Sequence, residues 1–269
     1  MSRPLIVANW KMHKTVTEAV AALEALRARP DLLAVVDVVV APSATGLDRA
    51  AQTVAGSRIA IASQNTHWES AGAYTGEMSV AQAADAGCTY GLAGHSERRQ
   101  SCGESNDHVR RKVAALLTAG LTPILCVGET FTERRAGKTE QVVAEQVTVA
   151  LQGVSGGDVA RLVIAYEPVW AIGTGKTATP GEAATVHGFL RRLLLSEYGD
   201  AARSVRVLYG GSVSPETVDG LLAQPEIHGA LVGGASLNVS TLLAILERAA
   251  QAAPRGDKRD LTSATRSIV

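Results

Sequence analysis

Short apolar runs rich in Val, Ile and Leu alternate along this chain with longer stretches whose apolar residues recur at helical spacing. The runs fall at residues 5–10, 36–41, 59–64, 89–93, 122–127, 162–167, 205–209 and 230–232. Several are apolar at consecutive rather than alternate positions, as strands covered on both faces are. Helical periodicity runs over 18–28, 106–119, 141–151, 182–197, 215–222 and 239–250, and Gly87, Gly120 and Gly199 stand where left-handed C-terminal caps belong. Alternation of this kind predicts an α/β fold built on a parallel sheet. Eight such cycles match a closed (β/α)8 barrel, but a doubly wound open sheet carries the same pattern, and periodicity does not choose between them.

No composition shift or Pro/Ser-rich linker divides residues 1–251, so a single domain is expected there. Residues 252–269, where Pro254, Arg255, Gly256, Asp257, Lys258, Arg259 and Asp260 interrupt the last apolar helix, read as a loosely ordered tail. Lys plus Arg number 26 and Asp plus Glu number 26, so no overall field recommends nucleic acid or an acidic membrane surface as partner. Cys88, Cys102 and Cys126 form no CxxC and have no zinc-ligand spacing, which suits reduced thiols in a cytoplasmic protein. No apolar stretch approaches the roughly 18 residues of a membrane span, and residues 1–10 lack a signal-peptide core.

In a parallel barrel the polar residues at the C-terminal strand ends converge on one mouth. Asn9 and Lys11 follow the first run, Gln64 and Asn65 the third, His95-Ser96-Glu97 the fourth, Glu167 the sixth and Ser212 the seventh. Lys11 there offers a point charge to an anion. Asn9 serves a turn or a ligand equally well. His95 opens a short helical pattern, and the positive end of a helix favours a neutral imidazole able to donate to a carbonyl. Glu167 closes an apolar strand that Pro168 stops; partial desolvation there raises a carboxylate's pKa and strengthens it as a base. Val169-Trp170-Ala171-Ile172, between Pro168 and Gly173-Thr174-Gly175, suits a flap that buries its apolar tip on closing. Gly210-Gly211-Ser212 and Gly233-Gly234, each alone an ordinary turn, together match a backbone phosphate site. No nucleotide-binding glycine motif accompanies them. Glu97 and Glu129 are candidates for the carboxylate pair of a glycosidase, but the lid and the glycine pairs point elsewhere.

Asn9-Trp10-Lys11-Met12, Gly94-His95-Ser96-Glu97-Arg98-Arg99, the run from Ala165 to Lys176, Tyr209-Gly210-Gly211-Ser212-Val213 and Val232-Gly233-Gly234-Ala235-Ser236-Leu237 together resemble the triosephosphate isomerase family, in family order from about residue 3 to 251. The resemblance implies a TIM (β/α)8 barrel that interconverts dihydroxyacetone phosphate and D-glyceraldehyde 3-phosphate through an enediolate, in glycolysis and gluconeogenesis, with no cofactor or metal. It makes Glu167 the base and His95 the electrophile, places Lys11 and Asn9 at the carbonyl end of the substrate, and gives Ser96 and Glu97 supporting roles. Backbone at Gly173, Ser212, Gly233 and Gly234 holds the phosphate. It also implies a homodimer through the loop 65–79, with Thr75 reaching the neighbouring active site. That loop is long and carries Trp68 and Tyr74, which suits an interface, though a wandering surface loop reads the same way. Two rivals stand beside this reading: an isomerase of a longer phosphorylated ketose, on which pocket volume bears, and a non-catalytic phosphosugar-binding protein, against which the intact set of groups argues. The chain departs from the family at Cys102, where Phe is common, at Trp68, in the tail, and at His228, where Asp is common. His228 is expected to accept a hydrogen bond from Arg191 without neutralising it.

Overall fold

The computed structural model describes residues 3–172 and 177–253. Its strands are β1 (Leu5–Asn9), β2 (Asp37–Ala41), β3 (Ile59–Ser63), β4 (Tyr90–Ala93), β5 (Thr122–Val127), β6 (Val163–Tyr166), β7 (Arg206–Tyr209) and β8 (Gly229–Val232). Each pairs in parallel with the next, and β1 pairs with both β2 and β8, so the sheet closes in sequence order. Closure decides between the two topologies that periodicity allowed, since an open sheet keeps two edge strands. The seam needs a glycine: Leu5 is paired with Gly229, at φ 151°, and a β-carbon there would collide with the Leu5 carbonyl.

A principal helix follows every strand: α1 (Val16–Arg27), α2 (Leu47–Val54), α3 (Val80–Asp85), α4 (Asn106–Thr118), α5 (Thr139–Ala150), α6 (Pro180–Tyr198), α7 (Val218–Leu222) and α8 (Val239–Ala252). Thr15, Ser79 and Thr179 start α1, α3 and α6 with reciprocal capping boxes, in which the cap side chain and the third helical residue satisfy each other's amides. Gly87, Gly120 and Gly199 take φ of 88°, 82° and 56° at the ends of α3, α4 and α6, as their sequence positions predicted. Helices α2 and α3, of eight and six residues, lie outside the predicted set.

Two apolar layers result. Leu5, Val7, Val39, Leu92, Ile124, Cys126, Val163 and Leu231 are among the side chains that fill the barrel lumen. Their neighbours in sequence, such as Ile6, Val38, Val40 and Ile164, point outward and pack under the helices. Strands covered on both faces explain the continuous apolar runs. Among the described residues no helix is long and apolar enough to cross a membrane. Helix α8 runs to Ala252, and residues 254–269, most of the expected tail, lie outside the described residues.

The N-terminal end of the barrel corrects one expectation. Arg191 donates to the carbonyls of Ala202 and Val205, each at 2.6 Å, and its Nε faces Glu226 Oε2 at 3.4 Å. His228 Nδ1 instead accepts the Val207 N–H at 3.3 Å. Arg191 finds its carboxylate at Glu226 and so has no need of the imidazole as an acceptor.

Candidate active site

Beyond β1 the backbone turns sharply, with Lys11 at φ 52° and Lys14 at φ 66°, a region non-glycine residues seldom occupy. Asn9 Oδ1 accepts the Lys11 N–H at 3.0 Å, and Gln64 Nε2 donates to the carbonyls of Lys11 and Ala41 at 2.8 and 2.9 Å. The turn presents the Lys11 ammonium to Glu97 Oε1 at 2.6 Å. Gly233 leaves room for it: a β-carbon there would lie 3.1 Å from Lys11 Cε.

Gly94 ends β4, its N–H donating to Glu104 Oε2 at 3.0 Å while Arg99 Nε donates to its carbonyl at 2.7 Å. Burial opposes the Glu104 charge, but Lys112 and Arg98 outweigh it and hold the carboxyl below the usual carboxylate range. The turn so fixed delivers His95 as the N-cap of a short helix, Ser96–Ser101. His95 Nδ1 accepts the Glu97 N–H at 3.3 Å, and Nε2 lies 3.0 Å from Glu167 Oε1. An accepting Nδ1 carries no proton, so the neutral ring bears its proton on Nε2, directed at Glu167. Burial pushes the His95 pKa down, yet the charge and hydrogen bond of Glu167, with Glu97 behind, prevail and leave it above the ordinary histidine value. The helix start alone argued for a neutral ring; the touching carboxylate is the influence it left out.

Glu167 extends the β5–β6 ladder by one residue, its N–H donating to the Val127 carbonyl at 2.7 Å. Glu167 is 2 % exposed, and its Oε2 accepts the Ser96 N–H at 2.9 Å. A β-carbon at Gly210 would lie 2.7 Å from Glu167 Cγ, so that glycine makes space for the carboxylate. Asn9, Lys11, His95 and Glu167 line a cavity of about 310 Å³ together with Gly210, Gly211, Ser212, Gly233 and Gly234. Ile172, Val213 and Leu231 complete the wall with apolar surface.

Every expected site residue among the described ones thus reaches one mouth, with Ser96 and Glu97 holding Glu167 and Lys11 from behind. Gly173 lies outside the described residues. Thr75 is exposed and does not line this chain's own cavity. Sequence reasoning missed the contacts that hold residues 168–172 and 178 in place. Glu129, wholly buried, accepts from the Tyr166 hydroxyl at 3.1 Å and from Trp170 Nε1 at 2.9 Å, while Arg134 lies 4.2 Å from the Trp170 ring centroid. Ser212 Oγ donates to the Ala171 carbonyl at 2.8 Å, and the Ala178 N–H donates to the Tyr209 hydroxyl at 3.3 Å. Glu129 follows a strand end, the same signal that marked Glu167. Leu231 carried none, being one more apolar residue in an apolar strand.

A closed parallel barrel whose strand ends bring a carboxylate, an imidazole, an ammonium and glycine-rich backbone around one small cavity defines a (β/α)8-barrel isomerase. The triosephosphate isomerase family model matches residues 4–249. Triosephosphate isomerase of Pelobacter propionicus is 50 % identical over 242 residues, covering 90 % of this chain and 96 % of that protein. Those of Syntrophotalea carbinolica and Chloroflexus aurantiacus are 49 % and 48 % identical, covering 92 % and 91 % of this chain and 98 % and 99 % of theirs. The chain belongs to the triosephosphate isomerase family.

Proposed function

We propose that this chain interconverts dihydroxyacetone phosphate and D-glyceraldehyde 3-phosphate with Glu167 as base, His95 as donor to the substrate oxygens and Lys11 as the cation that meets their charge. The observation that carries this reading is the resting position of Glu167: buried at the cavity mouth, its two oxygens occupied by His95 Nε2 and the Ser96 N–H. A substrate oxygen entering beside His95 takes over the Nε2 proton donor and frees the carboxylate. Glu167 then removes a proton from the carbon next to the carbonyl and returns it to the neighbouring carbon, while the hydroxyl proton moves from one oxygen to the other through His95 Nε2. Charge on the enediolate oxygens is met by Nε2–H and Lys11, both fixed before reaction. Moving Glu167 off the ring withdraws the main influence raising the His95 pKa, leaving burial dominant, so the imidazole donates as a neutral group. Asn9, with Oδ1 engaged by the turn, offers its NH2 to the substrate.

Backbone at Ser212, Gly233 and Gly234 holds the phosphate, joined by Gly173 of the lid. A cavity of about 310 Å³ is at the small end of ligand pockets, which favours a triose phosphate over a longer ketose. The chain works in the cytoplasm, in keeping with its three free cysteines, as a homodimer through the loop 65–79 with Thr75 at the neighbouring active site. Exposure of Tyr74 and Met12 supports the dimer.

Steady-state kinetics of Glu167→Asp test the central assignment. Withdrawing the carboxylate by one methylene lowers kcat by roughly 10²-fold or more with KM little changed. A kcat close to the parent's removes Glu167 from the role of base.

A further inference from the structure

The proposed substrate site is assembled from two loops far apart in sequence, one after β1 carrying Lys11 and one after β8 carrying Gly233 and Gly234. Lys14 joins them. Its Nζ donates to the Leu237 carbonyl at 2.8 Å and lies 5.2 Å from the Trp10 ring centroid, over a side chain that is wholly buried. Leu237 closes the 3-10 turn Gly234–Ser236, its N–H donating to the Gly234 carbonyl at 3.1 Å. Ser236 donates to the Gly233 carbonyl from N at 2.9 Å and from Oγ at 2.7 Å. The ammonium therefore holds the carbonyl end of the turn whose glycine end lines the cavity. Lys14 keeps this contact at φ 66°, an unfavourable conformation for a lysine. Lys14 itself does not line the cavity, so whatever it does there is indirect.

We propose that Lys14 is a positioning residue for the phosphate cradle, pinning the loop after β8 against the loop after β1. The inference rests on reading Gly233 and Gly234 as part of the phosphate site. Lys11 Cε packs where a β-carbon on Gly233 would lie 3.1 Å away, so the separation of the two loops sets where the Lys11 ammonium stands relative to the phosphate backbone. A charged donor on a carbonyl is among the stronger single ties available at a partly buried site, and here it spans 223 positions of sequence.

Kinetics and competitive inhibition by inorganic phosphate, measured on the parent, Lys14→Met, Lys14→Arg and Lys14→Gly, test this. Lys14→Met keeps the apolar stem but loses the donor; KM and the phosphate inhibition constant rise about tenfold, the scale of one charge-assisted hydrogen bond, with kcat changed less than about threefold. Lys14→Arg, which retains a cationic donor, recovers most of the loss. Lys14→Gly relieves the left-handed backbone and so is at least as stable to heat as the parent, yet shows the same weakened phosphate binding as Lys14→Met. The proposal is overturned if Lys14→Met loses thermal stability while KM and phosphate inhibition stay within twofold of the parent, if Lys14→Gly binds phosphate as the parent does, or if Lys14→Arg recovers nothing. Failure of phosphate to inhibit the parent overturns the cradle assignment itself.

Discussion

His187, wholly buried in α6, lies close enough to His228, just before β8, to feel its charge. His187 Nδ1 lies 3.1 Å from the Glu226 carbonyl, so it is the protonated nitrogen of a neutral ring, and Nε2 has no partner among the described residues. Burial pushes the His187 pKa down to about 3. Burial, then the charge of Arg191, lowers that of His228 despite the opposite pull of Glu226. Both folded pKa values fall below the unfolded value of about 6.5, so below that pH the unfolded chain binds protons that the folded chain refuses. Stability is therefore fully present above about pH 6.5 and is lost as pH falls, for His187 down to about 3. His228→Asn removes one of the two sites while keeping an acceptor for the Val207 N–H. Its stability, measured by reversible denaturation across pH, should fall less steeply below pH 6.5, by up to about 1.4 kcal/mol per pH unit, and differ little in pH dependence above pH 8. Parallel profiles for parent and variant would show that His228 takes its proton equally well in both states.

Helix α6 begins just beyond the proposed lid, and its first turn is tied through Arg134 to Trp170 at the lid's N-terminal side. Thr179 donates its N–H to Glu182 Oε2 at 2.8 Å and accepts the Glu182 N–H at 3.2 Å, while Arg134 pairs with Glu182 and stacks on Trp170. Ser155 caps the short helix Gly156–Val159, its hydroxyl accepting the Asp158 N–H at 3.2 Å, and does not line the cavity. Thr179→Ala and Ser155→Ala should each cost about 1 kcal/mol in denaturation, the usual worth of an N-cap. Only Thr179→Ala should raise KM, by roughly a few-fold, because only α6 anchors the lid; equal kinetic effects would detach the cap from lid function. The Thr179 box follows the Ser/Thr-x-x-Glu/Gln pattern, a sequence signature that the reading of the chain left unused. The partners of Arg191 were not readable: two of its three acceptors are the backbone carbonyls of Ala202 and Val205, which no side-chain identity reveals. The roles of Glu104 and Arg99 stayed hidden for a related reason: both act on the main chain of Gly94, so no side-chain identity pairs them with it.

At the scale of the whole molecule, parallel closure turns a list of strand ends into a site, which is why Asn9, Lys11, His95, Glu167, Ser212, Gly233 and Gly234 were legible before any geometry was known. The same rule says nothing about surfaces that a second copy covers. In the loop 65–79, Thr66 and His67 are buried, but Glu69 to Glu77 are exposed. Within the loop the His67 ring lies 4.3 Å from that of Trp68 and 4.1 Å from that of Tyr74, and Trp68 also stacks on His108 of α4 at 5.2 Å, so the loop is ordered by its own aromatics and by α4. Met12, one residue beyond Lys11, is 94 % exposed, and Tyr74 is 46 % exposed. If two copies exchange these loops, each covers the other's left-handed turn at Lys11, and the partner supplies support that this chain lacks alone. Sedimentation velocity should then give the parent twice the 27.9 kDa of one chain. Thr75→Arg, which forces a long cation into the proposed contact, should shift the protein to monomer. Its kcat should fall by roughly 10²-fold, because a loosened Lys11 turn misplaces a charge by distances that cost that much. The fall should lessen as protein concentration rises and dimer re-forms. A parent that is fully active as a monomer, or a Thr75→Arg variant that stays dimeric and active, would place the loop 65–79 outside the interface and leave the exposure of Met12 and Tyr74 without this explanation.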